Sequence, residues 1–288
     1  MLGLALGCIG PRGVGRAPDV DSPRAALLRT SRDAESRART GNFVDALSAL
    51  FDSGGVYVTS TTTLAKGPAG ARAWLARDTL NAQSSAMWNV LRADVSADGR
   101  DGFTYGYFDV VRAAGDTAYG KYHAYWRRGQ DGAWRILAFS RGRRAPGPWL
   151  VASDEYQPRV RTVTGPGDTI ATLQVVFATE AEFADSVGVD VGRAFGAFAE
   201  PDAGKLDAGR PSYVFGREAI RGLFVGAPPG GPLWRPEAGS VSASNDLAFT
   251  YGPAWPRTDG NSPGTQPRGR YFTIWRRQPD GTWRYVVD

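Results

Sequence analysis

The single histidine of this 288-residue chain, His123, stands in an alternating stretch, Lys121-Tyr122-His123-Ala124-Tyr125, that reads as a β-strand. The strand pattern before it carries Tyr105, Tyr107 and Asp109 at the same period of two, which puts their side chains on one sheet face. With a hairpin turn at Ala113 to Asp116, the numbers of paired residues sum to about 230. His123 then opposes Tyr107, with Tyr105, Asp109, Lys121 and Tyr125 around it. Such a face holds the parts of an acid–base catalyst: a base in His123, an orienting carboxylate in Asp109 and a phenolic donor in Tyr107. The same residues also read as ordinary strand side chains, with the aromatics and the lysine stem covering the outside of a sheet. A one-residue change of register separates them.

Other chemistries are excluded more directly. One cysteine, one histidine and two methionines make no zinc ligand set and no internal disulfide, and no cofactor or metal site is expected. The charge balance is 34 − 29 = +5, nearly all of the positive charge is arginine, and the basic residues are interspersed with acids. A nucleic-acid binder gathers its cations on a stripe, so none is expected as a partner. Gly13-Val-Gly15, Gly165-Pro-Gly167 and Gly230-Gly231 do not lie between a strand and a helix, as a phosphate loop must. The acidic pairs Asp33 with Glu35 and Glu180 with Glu182 are two residues apart and read as solvated charges. Arg141, Arg143 and Arg144 read as the start of a solvated linker.

The elements that would position these residues occur twice. Tyr122-His-Ala-Tyr-Trp126-Arg-Arg-Gly-Gln-Asp131-Gly-Ala-Trp134-Arg135 aligns without a gap on Tyr271-Phe-Thr-Ile-Trp275-Arg-Arg-Gln-Pro-Asp280-Gly-Thr-Trp283-Arg284. Phe103-Thr-Tyr-Gly106 recurs as Phe249-Thr-Tyr-Gly252, Val95-Ser-Ala as Val241-Ser-Ala, Gly67 as Gly216 and Phe51 as Phe198, all in one order. Each copy begins with a helix, opened by Ser22-Pro23 or capped by Asp168; in the second copy Leu173, Val176, Phe177, Ala184 and Val187 form its apolar stripe. A short helix follows (43–51, 191–198), then a short strand (56–60, 212–215), then a helix opened by Gly67-Pro68 or Gly216. About three long strands close each copy, the last two joined through Asp-Gly. Gly226 to Pro236 and Gly252 to Gly269 read as long loops of the second copy. Helices first and an antiparallel sheet afterwards give an α+β class.

The long helix, the Gly216-x-x-Ala219-Ile220-x-x-x-Phe224 helix and the Trp-Arg-Arg-x-x-Asp-Gly-x-Trp-Arg hairpin together resemble the nuclear transport factor 2-like superfamily, in particular its SnoaL-like and calcium/calmodulin-kinase-association-like domains. The resemblance implies two tandem cone-shaped domains, each with N-terminal helices packed on a curved antiparallel sheet. It also implies a cone mouth suited to a small apolar ligand, and it fixes no activity, because the fold hosts enzymes, binders and association modules. Family enzymes work through a pocket carboxylate or a His/Asp pair.

The expected division is a signal or tether over 1–20, a first domain over 21–143, a linker over 144–167 and a second domain over 168–288. Ala5-Leu6-Gly7-Cys8 resembles a bacterial lipoprotein signal, which implies lipidation at Cys8, a membrane link through that anchor alone and an exported location. No other part of the chain has the apolar length to span a bilayer. Tyr105, Tyr125, Tyr251, Trp255 and Phe272 are the candidate ligand-pocket residues. Only the first copy keeps ionisable candidates on its hairpin, since Phe272 and Trp255 replace His123 and Asp109, so polar chemistry is expected in residues 21–143. Trp126, Trp134, Trp275 and Trp283 are expected to be structural. Three readings remain open: a small-molecule binder or structural protein built as an intramolecular pseudo-dimer, a SnoaL-like isomerase, cyclase or dehydratase acting through the first copy, and a protein-association module.

Overall fold

In the computed structural model, residues 21–112, 115–148, 167–258 and 262–288 are described. The first half runs α1 (Asp21–Thr40), α2 (Phe43–Ser48), β1 (Phe51–Val58), β2 (Leu64–Lys66), α3 (Gly67–Ala76), a 3-10 turn, β3 (Ser85–Val95), β4 (Asp101–Val111), β5 (Thr117–Ala118), β6 (Gly120–Arg128) and β7 (Trp134–Arg143). The second runs α4 (Thr169–Val189), α5 (Val191–Phe198), β8 (Ala199–Lys205), β9 (Val214–Phe215), α6 (Arg217–Gly222), β10 (Leu233–Trp234), β11 (Ala238–Val241), β12 (Leu247–Trp255), β13 (Arg257–Thr258), β14 (Ser262–Pro263), β15 (Gly269–Arg277) and β16 (Trp283–Val287).

The two sheets have equivalent strand orders, β2-β1-β7-β6-β4-β3 and β9-β8-β16-β15-β12-β10, with β11 also on β12. The Trp-Arg-Arg hairpins β6–β7 and β15–β16 therefore occupy the same topological place. Each half has helices gathered on one face of a curled sheet, the α+β order of the nuclear transport factor 2-like cone, in duplicate. The sheets are not purely antiparallel: β1 runs parallel to β7 and β8 parallel to β16. Strand β8 is absent from the sequence reading, because Pro201-Asp202-Ala203-Gly204 carries turn composition; pairing with β16 and β9 overrides it.

Burial explains why the helices sit where they do. Leu27, Ser31, Ala34 and Ala38 are the buried stripe of α1, and Val176, Glu180, Phe183 and Val187 repeat it on α4. Phe177, assigned to that stripe from sequence, is half-buried, and the position is taken instead by Glu180. Asp168 caps α4 as expected, accepting from the amides of Ile170 and Ala171. Two apolar cores result, one in each cone, and a third lies between the sheets, containing Phe103, Tyr105, Tyr125, Phe249, Phe272 and Ile274 among others.

The repeated motifs take on physical meaning in this arrangement. In Phe-Thr-Tyr-Gly, the Phe and Tyr enter the inter-sheet core and the Thr faces the cone. A Cβ on Gly106 or Gly252 would meet a backbone oxygen at 1.9 or 2.0 Å, so only glycine fits there. In Trp-Arg-Arg, Trp126 and Trp275 enter the cones, and Arg127 and Arg276 reach the opposite half at Ser240 and Asp94. Arg128 and Arg277 donate to Gly132 and Gly281 carbonyls and brace the Asp-Gly turns, where those glycines hold φ of 77° and 84°.

Candidate functional site

Of the acid–base set read from the first copy, His123 and Tyr107 lie in the inter-sheet contact and Asp109 is buried on the same strand face. Register places His123 opposite Tyr105 and Lys121 opposite Tyr107, a shift of two from the sequence estimate that leaves every side chain on its expected face. That face is the outer one, away from the helices, and the second sheet covers it. His123 stacks on Phe272 at 4.5 Å and 15°, and its Nε2 lies 2.9 Å from the Phe272 carbonyl, to which the Nε2–H tautomer donates. Burial, which outweighs the carbonyl hydrogen bond, depresses its pKa to about 4, so the ring is neutral. Asp109 accepts from Arg144, with 2.6 Å between Oδ2 and Nη2, and from the Gly120 amide. Arg144 is thus a buried ion-pair partner and not a solvated linker residue.

Tyr107 packs beside Tyr213 of the second half with Arg144 over its ring, and Tyr105 stacks against Tyr213 and Phe215. Lys121 donates to the carbonyls of Asp207, Arg210 and Ser212 at 2.7 to 2.9 Å, and desolvation brings its pKa down to about 8. Of the expected pocket residues, Tyr105, Tyr125, Tyr251 and Phe272 belong to the inter-sheet core, and Trp255 is half-buried at the end of β12 opposite Leu233. The first four pack between the halves and do not line a cone. Alternation along a strand says which residues share a face and not which face meets the helices, hence the misplacement. Cys8 lies outside the described residues, as does most of the expected linker.

The cone interiors contain a polar cluster that sequence reasoning missed. In the second cone Glu180 is wholly buried. Its Oε1 accepts from Trp234 Nε1 at 2.5 Å, and its Oε2 from Trp275 Nε1 at 3.0 Å and from the Thr250 hydroxyl. The buried Tyr271 hydroxyl lies beside Thr250 without a well-formed hydrogen bond. Desolvation is the dominant influence on Glu180 and pushes its carboxyl up to about 8, against the pull of its three donors, so the group is neutral at pH 7. It is not a solvated charge, and Trp234 is not in a loop: β10 pairs with β12 inside the stretch read as Gly226 to Pro236. Likewise the stretch from Gly252 opens with the end of β12 and contains the β13–β14 hairpin.

The first cone repeats the cluster with one change. Ser31, Trp88, Thr104, Tyr122 and Trp126 stand where Glu180, Trp234, Thr250, Tyr271 and Trp275 stand, 146 or 149 residues apart. Trp88 Nε1 donates to Ser31 Oγ at 3.2 Å and Trp126 Nε1 to Thr104 Oγ1 at 2.9 Å. The signal was in the sequence: aligning the duplicates puts a glutamate against a serine at a stripe position.

Ser31 and Trp88 also line an opening of about 460 Å³ between α1 and β3. A groove of about 640 Å³ runs between α4, α5 and the β15–β16 turn. Val175, Val189, Ala194, Ala197, Phe198 and Trp283 give it apolar walls, and Thr179, Glu182, Arg193 and Arg284 give it polar ones. Val175 and Val189, 55% and 80% exposed, are large apolar side chains left in solvent at its edge. Its floor meets the second cone, since Phe198 stacks on Phe183 at 5.0 Å. Among the described residues there is no group of three or more His, Cys, Asp or Glu placed to hold a metal, and no helix long and apolar enough to cross a membrane.

No family model matches the sequence, and no curated protein does. Solved structures do resemble it, each over about half the chain. An NTF2-like protein with a cystatin-like fold from Novosphingobium aromaticivorans is 19% identical, covering 47% of this chain and 84% of its own, at a TM-score of 0.35. A ketosteroid isomerase-like protein from Erwinia carotovora atroseptica is 12% identical over 42% and 95%, also at 0.35. ActVI-ORFA of Streptomyces coelicolor is 18% identical over 41% and 94%, at 0.34.

Proposed function

We propose that this protein is a non-catalytic binder of a small amphipathic molecule, built as an intramolecular pseudo-dimer, with the ligand in the groove of the second half. The observation that carries the reading is the groove itself: its 640 Å³ lies within the range of about 300–1,000 Å³ typical of small-molecule sites. An apolar ligand body would lie on Val175, Ala194, Phe198 and Trp283, and a polar end would meet Arg193, Arg284 or Glu182. The ligand is placed beside the second cone and not inside it, because Phe183, Phe195, Trp234, Trp275 and Tyr285 pack that interior. Catalysis through the first copy loses its support, since His123 is buried against Phe272 of the second half and Asp109 is paired with Arg144. The pairing itself is favoured by continuous apolar packing and by reciprocal grips: Lys121 holds the 207–212 loop of the second half, and Arg270, its counterpart, donates to the Thr62 carbonyl of the first at 2.8 Å.

The test is mass spectrometry of the purified protein under non-denaturing conditions, for small molecules it retains. Ala197→Trp, which fills the groove from an exposed position, is expected to abolish retention and leave the melting temperature unchanged. Retention that survives this substitution would place the ligand elsewhere.

A further inference from the structure

Helix α4 borders both the groove and the second cone. Thr179 and Glu182 face the groove, while Glu180 between them points inward to β10, β12 and β15 through Trp234, Thr250 and Trp275. One side chain of one helix therefore gathers three strands. As a neutral acid, Glu180 donates from Oε2 to the Thr250 oxygen, whose own hydrogen turns to the neighbouring Tyr271 oxygen. As an anion it accepts three hydrogen bonds and has no cation beside it among the described residues. The ionisable groups nearest it are neutral or negative, and the cations behind them, Lys205 and Arg235, are each paired with an acid. Tyr271 comes from β15; Tyr285 comes from β16 and donates to the Phe195 carbonyl of α5. Asp288 follows β16, held by Lys205 Nζ at 2.5 Å and by Thr273, and adds like-charge repulsion. On α4 itself Asp185 pairs with Arg235, which lies on the Tyr271 side.

We propose that Glu180 is a proton-operated latch: protonated, it ties α4 to the sheet, and on losing its proton it loosens α4 and reshapes the groove that α4 walls. The pKa of about 8 would set the working range in mildly alkaline solution. Three hydrogen bonds offset part of the cost of enclosing the carboxylate without a countercharge, and admitting water or moving the helix that carries it relieves the rest. The first half lacks the device, because Ser31 occupies the position and does not titrate. The link to ligand release rests on the groove reading above; the latch does not.

Hydrogen exchange of the intact chain at pH 6 and pH 9.5, corrected for the intrinsic pH dependence of exchange, tests it with an internal control. Protection of α4 amides is expected to fall at least tenfold in the wild type, while protection of α1 holds. In Glu180→Gln, a neutral isostere, α4 protection is expected to hold too. Equal loss in α1 and α4, or equal loss in wild type and variant, would overturn the latch. A carboxyl-carbon NMR titration of the wild-type protein provides a check that needs no variant: a midpoint near the ordinary value for glutamate also overturns it. For the groove, an anionic naphthalene dye is the probe. Loss of dye at pH 9.5 from wild type but not from Glu180→Gln supports the coupling. No dye binding at either pH defeats the groove reading while leaving the exchange result to judge the latch.

Discussion

The two cones place the same indoles, threonine and tyrosine around one inward position of the first helix, where the first has Ser31 and the second Glu180. In the first, Ser31 and Thr104 each accept from one indole, with the Tyr122 hydroxyl beside both. In the second, Glu180 is long enough to reach Trp234, Trp275 and Thr250 together. The longer side chain gathers both indoles and the threonine on one carboxyl. It also brings an ionisable group into a core where no cation pairs with it among the described residues, while the matching position of the first half holds a serine, which does not titrate. The two halves share one topology, and this position gives only the second a buried acid on its first helix.

The comparison breaks most severely when an indole is removed. Trp126→Ala and Trp275→Ala should each cost about 3–5 kcal/mol by opening a cavity, with Trp275→Ala the worse because Glu180 also loses a donor. Chemical denaturation of both variants checks this; an equal or reversed order would mean that the carboxyl does not depend on Trp275. Next comes the contact between the halves. His123 has a folded pKa of about 4, below its unfolded value near 6.5, so its contribution is complete above pH 6.5 and is lost as pH falls through 4, by about 3 kcal/mol. His123→Phe copies the residue of the second half and should flatten that acid limb in stability curves measured from pH 7 to 4. Survival of the limb would assign it to carboxylates instead.

Transplanting the difference sharpens the comparison further. Ser31→Glu places a carboxyl among Trp88, Thr104 and Tyr122, and should cost about 2 kcal/mol at pH 7 because a larger group enters a packed site. It should also confer on the first half the behaviour of the second. A glutamate raised from about 4.5 to about 8 contributes fully below pH 4.5, and its contribution is lost as pH rises to 8 and beyond. Denaturation of Ser31→Glu at pH 5 and pH 9 is expected to show a steeper alkaline loss than wild type. An unchanged slope would show that the two cones are not equivalent environments.

Much of this architecture was legible before any coordinates. The gapless repeat carried the duplication, the Asp131-Gly132 and Asp280-Gly281 turns marked the final hairpins, and the stripe Val176, Ala184, Val187 oriented α4. The period of two even grouped Tyr105, Tyr107, Asp109, Lys121, His123 and Tyr125 correctly on one face. Which face they occupied was not legible, because a sheet covered on both sides has no polar side to betray its orientation. Glu180 was missed for a related reason: a charged residue on a helix is solvated in most proteins, and its three partners come from strands 54, 70 and 95 residues away. Trp234 was hidden by its Pro- and Gly-rich neighbours.

The smallest expected effect is the most discriminating. Thr104→Val leaves Trp126 Nε1 buried without an acceptor and should cost about 1–2 kcal/mol. Thr250→Val removes the equivalent hydroxyl, but Trp275 Nε1 keeps its bond to Glu180 Oε2, so the loss should be about 1 kcal/mol or less. The second substitution has an effect that the first cannot have. The Thr250 hydroxyl donates to the charged carboxyl and accepts from the neutral one, so its removal changes the titration of Glu180. The alkaline loss of stability should then shift in Thr250→Val and stay in place in Thr104→Val. Parallel denaturation series from pH 6 to 10 would read both quantities at once. A Thr104→Val variant that moved the alkaline limb as far as Thr250→Val would trace that limb to something other than Glu180 and end the comparison between the cones.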